Sequence, residues 1–208
     1  HAKVLWSFAL PAVLGGILVS PVTWLASLWL SRQPGGYGEL GLFGAANQWR
    51  SAVSFIPAIL SQPILPLLTS MATGNRRSFN RLVMFSALLN GGAAALVSVL
   101  MLITMPIIAM IYGKNYEGLS GVLIPMLAAG VVSCACAPIG NALASQGKMW
   151  VAFSLNLIWA CCLLATAYFA ISAAGASGLA NCFLLAYLLH LAMTAGYIFL
   201  NRRKPLQP

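Results

Sequence analysis

Hydrophobic positions run through this chain in six long blocks, and polar positions are concentrated in the short stretches between them. Each block is at least about 20 residues long, which is the length that an α-helix needs to cross the hydrocarbon core of a bilayer. The predicted spans are residues 4–30, 40–69, 82–112, 119–145, 149–171 and 179–200. The pattern predicts an all-α integral membrane protein, with a six-helix transmembrane lobe over residues 1–204 and a cytoplasmic tail over residues 205–208.

Composition supports a membrane protein, because 61% of the 208 residues are hydrophobic and only 6% are charged. A soluble domain carries about 25% charged residues. The net charge of +9 comes from basic residues that lie mostly between the spans, so it does not suggest a nucleic-acid partner. All five cysteines lie within apolar blocks, which indicates buried packing and predicts neither a metal site nor a cofactor.

Basic residues are distributed unequally between the two sides of the predicted spans. With the N-terminus inside, eight of them lie on the inner side and two, Arg32 and Lys114, on the outer side. This asymmetry predicts that both termini are cytoplasmic, and the basic loop at residues 73–81 is a candidate for contact with membrane lipids. The chain begins with His1, so we expect the N-terminal part of a longer protein to be missing.

Arg50 is the one charged residue within a predicted span, and this span also contains three of the prolines that predict bent helices. An arginine at the centre of a membrane helix costs roughly 2.5–3.5 kcal/mol on insertion scales. Helical spacing places Phe43, Asn47, Arg50 and Ser54 on one face. The two acids, Glu39 and Glu117, are both predicted in loops, so no acid of the spans pairs with Arg50.

Two interpretations of Arg50 follow from this placement. It is either a structural arginine, bonded to carbonyl groups or to an acid of another helix, or a cation that lines a cavity for an anionic substrate. A planar guanidinium suits phosphate oxygens. Asn47 and Ser54 are candidate substrate-binding neighbours, and Trp24 and Trp49 are candidates for an aromatic wall against a sugar or, alternatively, for packing.

His190 lies near the middle of the last predicted span, on a face that also carries Phe183, Tyr187, Thr194 and Tyr197. A protonatable histidine at this depth is a candidate for proton coupling. The alternative is a neutral imidazole that is hydrogen-bonded to a neighbouring helix. The asparagines within the spans are expected to form hydrogen bonds between helices; these are Asn90, Asn141, Asn156 and Asn181.

Several short motifs, taken in order, resemble the second half of a Wzx-type O-antigen or polysaccharide flippase. This family belongs to the multidrug, oligosaccharidyl-lipid and polysaccharide (MOP) exporter superfamily. The motifs are Ser7–Pro11 (SFALP), Gly41–Arg50 (GLFGAANQWR), Phe55–Pro57 (FIP), Leu65–Pro66, Tyr112–Tyr116 (YGKNY), and Asn141–Lys148 (NALASQGK) followed by Asn156. Each motif alone is weak, but their order extends over nearly the whole chain.

The resemblance implies one six-helix lobe of a two-lobed, MATE-like transporter with a cationic central cavity. It implies an undecaprenyl-diphosphate-linked oligosaccharide as substrate, moved across the bacterial inner membrane by alternating access for O-antigen or other surface polysaccharide synthesis. The implied partners are the missing N-terminal lobe and the polysaccharide polymerase machinery. Arg50 occupies the kind of position at which the family contacts its substrate.

Other functions are compatible with the same features. Within the superfamily these are a lipid II flippase and a multidrug antiporter, although an antiporter for cationic drugs would require acids rather than Arg50. Outside it they are a membrane enzyme acting on lipid-linked substrates and a non-catalytic membrane subunit. No pair of acids and no phosphate-binding glycine loop is present in the sequence, so an enzyme is not expected.

Overall fold

A computed structural model of the chain describes residues 5–71, 75–112 and 118–201, and every regular element in these residues is helical. The predicted all-α fold class is therefore confirmed. The predicted tail, residues 205–208, lies outside the described residues, as do Lys114 and Glu117.

The described elements follow the apolar blocks in order, with the second crossing divided into three parts. A π-helical turn, Leu5–Ala9, leads into α1 (Leu10–Ser31), and the next elements are α2 (Gly36–Val53), α3 (Phe55–Ser61), α4 (Ile64–Met71), α5 (Arg76–Ile103), α6 (Met105–Tyr112) and α7 (Leu119–Ser145). The final element is Met149–Asn201. Four helices are long and apolar enough to cross a membrane, and the bent second crossing adds a fifth candidate among the described residues.

The final element is a hairpin of two helices. At helical rise its 53 residues would extend about 80 Å, far more than the roughly 30 Å hydrocarbon core. The backbone is non-helical at Ala174 and Gly175. The rings of Trp159 and Tyr187 lie 5.2 Å apart, which is possible only if the two arms run side by side. We name these arms α8, residues 149–173, and α9, residues 176–201.

A carboxylate from the second crossing holds the turn of this hairpin. Glu39 Oε2 accepts a hydrogen bond of 2.6 Å from the backbone N–H of Ala176, at the start of α9, where amide groups have no partner within the helix. Gly175 has a φ of +54°, and a Cβ on it would overlap the Glu39 carboxylate. The prediction that Glu39 lies in a loop is wrong, since it lies in the first turn of α2. We call Glu39, Gly175 and Ala176 the hairpin clasp.

α7 is the central helix of the bundle. In its most apolar stretch 61% of residues are buried, against 17% in the N-terminal crossing and 22% in α5. Its side chains Leu123, Met126 and Leu127 are enclosed in the main core, together with residues of α1, α2, α8 and α9. The other helices expose long apolar faces, as expected where they meet lipid or another part of a membrane protein.

Helix breaks occur at only some of the prolines that predict bending. α1 continues through Pro21, and α7 continues through Pro125 and Pro138. The second crossing is interrupted at Ser54 and again after Ser61, and its last part, Ile64–Met71, is bent by 43° from the preceding part. The first interruption is a single residue, Ser54, whose backbone stays in the right-handed helical region, and it lies four residues after Arg50.

Candidate functional site

Arg50 lies in the last turn of α2, four residues before the break at Ser54, and its side chain is half-buried. The interruption is local, because Ser54 keeps right-handed helical φ and ψ and its carbonyl accepts a 2.9 Å hydrogen bond from the N–H of Ala58. Arg50 therefore lies within a nearly continuous helical crossing.

Side chains of α2 and α9 hold the guanidinium. Its Nε donates a hydrogen bond of 3.0 Å to Asn47 Oδ1, one turn earlier on α2. From α9, the ring of Phe183 lies with its centroid 5.9 Å from Arg50 Cζ, a cation–π contact. The Tyr187 hydroxyl interacts electrostatically with the same guanidinium. Arg50 is thus positioned at the junction of the second and last crossings.

α7 supplies the surface on which the Arg50 side chain lies. A Cβ on Gly130 would stand 3.2 Å from Arg50 Cγ, so the absence of a side chain there gives the arginine stem its space. Ser54 Oγ donates to the Arg50 carbonyl at 3.2 Å and accepts from Cys134 Sγ of α7 at 3.6 Å. Asn47, Arg50, Ser54, Phe183 and Tyr187 form what we call the arginine cluster.

The arginine cluster contains a cation that no described carboxylate neutralises. Glu39 is the acid within the described residues, and it lies about 16 Å away along α2 at helical rise, where it bonds Ala176. The hydrogen bond to Asn47 uses one guanidinium N–H, and Arg carries several more donors in a fork that fits phosphate or carboxylate oxygens. The arrangement is suited to binding an anion.

The two tryptophans proposed as an aromatic wall occupy different environments. Trp24 on α1 is 66% exposed, so it lies outside the half-buried arginine cluster. Trp49 is half-buried and packs against the main core, and its indole Nε1 is buried without a hydrogen-bond partner among the described residues. Packing accounts for most of the Trp49 ring, and the part of either ring in sugar binding stays a prediction.

His190 lies in a cavity of about 170 Å³ between α7, α8 and α9, which we call the histidine cavity. Its polar lining consists of Ser133, Cys136, Asn156, Tyr187, His190 and Thr194. His190 Nδ1 is buried and has no hydrogen-bond partner among the described residues. Tyr187 belongs both to this cavity and to the arginine cluster, so the two sites adjoin.

The remaining span asparagines do not follow one pattern. Asn90 is fully buried, and neither amide atom has a hydrogen-bond partner among the described residues. Asn181 is exposed and donates to the Ser177 carbonyl of its own helix, so for this residue the expected bond between helices is replaced by a local one. Asn156 faces the histidine cavity and also lies near Gly15 of α1.

Helical spacing indicated two faces of this site but not that they meet. The stripe of Asn47, Arg50 and Ser54 was readable from α2 alone, and the face of Phe183 and Tyr187 from the last span alone. Nothing in the local sequence indicates that Phe183 and Tyr187 lie against Arg50. Gly130 carries no polar signal either, and its role is visible only once α7 is packed against α2.

Comparison with known proteins identifies relatives of this sequence, although no family model matches it. The chain is 30% identical over 171 residues to the EPS I polysaccharide export inner membrane protein EpsE of Ralstonia nicotianae, which covers 81% of this chain and 39% of that protein. It is 27% identical over 164 residues to EpsE of Ralstonia solanacearum, and this match covers 78% of this chain and 38% of that protein. The chain thus spans about two fifths of the length of these curated relatives.

A solved structure shares the fold. It is a MOP superfamily transporter from Pyrococcus furiosus, whose binding pocket is described as having reversed polarity that suggests a different function. The TM-score is 0.81 with 14% sequence identity, and the match covers 99% of this chain and 46% of that one. The inner-membrane location of the relatives agrees with the apolar helices described above, and the predicted location in the inner membrane is confirmed.

These likenesses confirm the resemblance seen in the sequence motifs at the level of the fold. The orientation of the termini, and the position of this lobe as the second half, stay predictions. The chain has the fold of one half of a MOP superfamily transporter.

Proposed function

We propose that this chain is one lobe of a flippase that moves an undecaprenyl-diphosphate-linked oligosaccharide across the bacterial inner membrane by alternating access. In this proposal Arg50 binds the diphosphate, and Asn47 orients the guanidinium through its hydrogen bond to Nε. A second lobe of similar size would complete the transport pathway, and the surface polysaccharide polymerase would use the product.

One observation carries the proposal: the Arg50 guanidinium is held within a membrane crossing without a described carboxylate partner. A cation with free donors in a half-buried, low-dielectric site attracts an anion more strongly than it would in water. The EpsE relatives are named as polysaccharide export proteins. A polysaccharide precursor that carries an anionic group next to a lipid tail satisfies both facts.

The same observation argues against one of the two other transport functions. A multidrug antiporter for cationic compounds would place a cation beside a cation, which raises the free energy of binding. A lipid II flippase has a diphosphate substrate as well, so charge alone does not separate it from the proposed function. The similarity to polysaccharide export proteins favours the oligosaccharide carrier.

Replacement of Arg50 by alanine in the full-length protein that carries this chain tests the proposal. We expect surface polysaccharide to fall about 100-fold, in line with the loss of a single preorganised charged donor set. Arg50→Lys should retain part of the activity, since the charge is kept but the planar fork is lost. Surface polysaccharide is measured by immunoblot at matched membrane levels of each variant, and wild-type amounts from Arg50→Ala would refute substrate binding by this residue.

We also propose His190 as the residue of this chain that takes up a coupling proton. The cavity that His190 lines has further polar groups from Ser133, Cys136, Asn156, Tyr187 and Thr194, and Arg50 interacts with Tyr187. His190→Gln keeps a hydrogen-bonding side chain but does not titrate. Transport in proteoliposomes should lose its dependence on an imposed pH gradient in this variant, and an unchanged dependence would remove His190 as a coupling site.

A further inference from the structure

The histidine cavity has a feature that the binding of a diphosphate does not use: it presents hydrogen-bond acceptors and no charge. Ser133 Oγ donates its proton to the Gly130 carbonyl at 2.8 Å. Thr194 Oγ1 donates to the carbonyls of His190 at 2.7 Å and Leu191 at 3.0 Å. A hydroxyl has one proton and two lone pairs, so both oxygens are left with acceptor capacity toward the cavity.

One further group completes this polar wall. The Asn156 amide offers both a donor and an acceptor, and it lines the cavity beside α1. His190 also lines the cavity, but its Nδ1 has almost no accessible surface, so a ligand in the cavity would not bond that nitrogen. The hydrogen-bonding groups that the cavity offers are therefore those of Ser133, Thr194 and Asn156.

Apart from Cys136, Tyr187 and His190, the rest of the lining is apolar, and no side chain with a fixed charge borders the cavity among the described residues. Its apolar residues are Ala137, Gly140, Leu143, Ala152 and Leu155. An ion would lose its hydration without a counter-charge in such a site, whereas a neutral group with hydroxyls on one face and carbon–hydrogen bonds on the other matches both walls. A sugar ring has this character.

Size and position agree with a sugar. The cavity of about 170 Å³ has the volume of about six water molecules, which is comparable with one sugar ring and too small for an oligosaccharide. It adjoins the arginine cluster through the side chain of Tyr187. In a lipid-linked glycan the first sugar is bonded directly to the diphosphate, so neighbouring subsites for the two groups are required.

We propose that the histidine cavity binds the sugar unit next to the diphosphate, with Asn156, Thr194 and Ser133 accepting its hydroxyl protons. This inference rests on the proposed function, since it assigns a second subsite to the same substrate. Arg50 recognises the anionic group in this arrangement, and the cavity recognises the presence of a sugar on it.

Binding to two lipids that differ only in the sugar tests the inference. The full-length protein that carries this chain is reconstituted in lipid nanodiscs and titrated with undecaprenyl diphosphate. Parallel titrations use the same lipid bearing a single glucose, galactose or N-acetylglucosamine, and thermophoresis reports the dissociation constants. We expect at least one sugar-bearing lipid to bind about tenfold more tightly than the bare diphosphate, the effect of one or two net hydrogen bonds.

Substitutions in the cavity test whether it causes the difference in affinity between the sugar-bearing and the bare lipid. Asn156→Leu should bring the sugar-bearing lipid to the affinity of the bare lipid and leave the bare lipid unchanged, whereas Arg50→Ala should weaken both. Thr194→Val, which nearly preserves shape, should remove part of the difference and serves if Asn156→Leu does not fold. Ser154→Leu is the matched control, because Ser154 lies on the same helix but is exposed and outside the cavity lining.

Equal binding of all the lipids, or a sugar effect that survives both Asn156→Leu and Thr194→Val, would overturn the inference and leave water as the occupant of the cavity. In that case Arg50→Ala would still weaken the bare lipid, and the proposed function would stand. If no lipid bound, or if Arg50→Ala changed nothing, the diphosphate assignment and the subsite that rests on it would both be wrong.

Discussion

Helix α2 carries two charged side chains of opposite sign, and their surroundings differ. Glu39, in the first turn, accepts a 2.6 Å hydrogen bond from the first amide of α9, so the helix terminus compensates its charge. Arg50, in the last turn, has an amide oxygen, an aromatic ring and a hydroxyl around it, but no described carboxylate. The Glu39 carboxylate joins α2 to α9, whereas the Arg50 guanidinium keeps N–H donors that are available to a ligand.

This difference indicates a structural role for Glu39 and a functional role for Arg50, although both lie on one helix. The hairpin clasp combines a charge, a helix terminus and a glycine of positive φ, which are the elements of a fixed turn. In the arginine cluster, replacement of the charge by an apolar group would leave most of the packing in place. We therefore expect substitutions in the clasp to lower stability and substitutions in the cluster to lower transport.

The largest loss of stability is expected for Gly175→Ala. The positive φ alone costs about 1–3 kcal/mol for a residue with a side chain, and the added Cβ would also overlap the Glu39 carboxylate. The free energy of unfolding can be measured by titration with sodium dodecyl sulphate in mixed micelles. Gly16→Ala is the control, because a Cβ on Gly16 meets nothing within 4 Å, and an equal loss in both variants would contradict the role of the clasp.

Glu39→Ala is expected to have an intermediate effect. Loss of a side chain that caps a helix costs typically about 1 kcal/mol, and Glu39 is half-buried rather than enclosed. Glu39→Gln keeps an acceptor oxygen and should recover part of the loss in the same unfolding assay. Transport per folded molecule should be near normal in both variants. A loss of transport without a loss of stability would show that Glu39 has a functional role instead of a structural one.

The smallest change in stability is expected for Arg50→Met. Methionine keeps the unbranched stem over Gly130 and removes the charge, and replacement of a partly buried charge by an apolar group of similar shape is often neutral. The free energy of unfolding should stay within about 0.5 kcal/mol of the original value, while surface polysaccharide falls as in Arg50→Ala. A large loss of stability would support the alternative interpretation of a structural arginine.

The sequence predicted those features that depend on local pattern. Apolar block length indicated the membrane helices, and helical spacing placed Asn47 beside Arg50, where the hydrogen bond is found. The position of the short interruption at Ser54 was not predicted, although Pro57, which has no N–H to bond the Val53 carbonyl four residues earlier, gives it a local cause. Pro21, which lies within an unbroken α1, shows that proline alone does not determine the breaks.

Features that depend on distant parts of the chain could not be read from the sequence. Glu39 was predicted in a loop because glycines surround it and nothing nearby requires a carboxylate; its partner is the backbone of Ala176. The contact of Phe183 with Arg50 joins the second and last crossings in the same way. Backbone donors and ring faces leave no signature in a residue pattern, so such contacts appear only in the folded structure.

The hairpin clasp also has a consequence for how the protein is made. Its hydrogen bond joins residues 137 positions apart, and membrane helices enter the bilayer in the order of synthesis. The amide that bonds Glu39 belongs to the last crossing. The Glu39 carboxylate therefore lacks this hydrogen-bond donor until nearly the whole lobe has been translated. The clasp therefore cannot close before α9 has been synthesised, which makes its closure a late event in biogenesis.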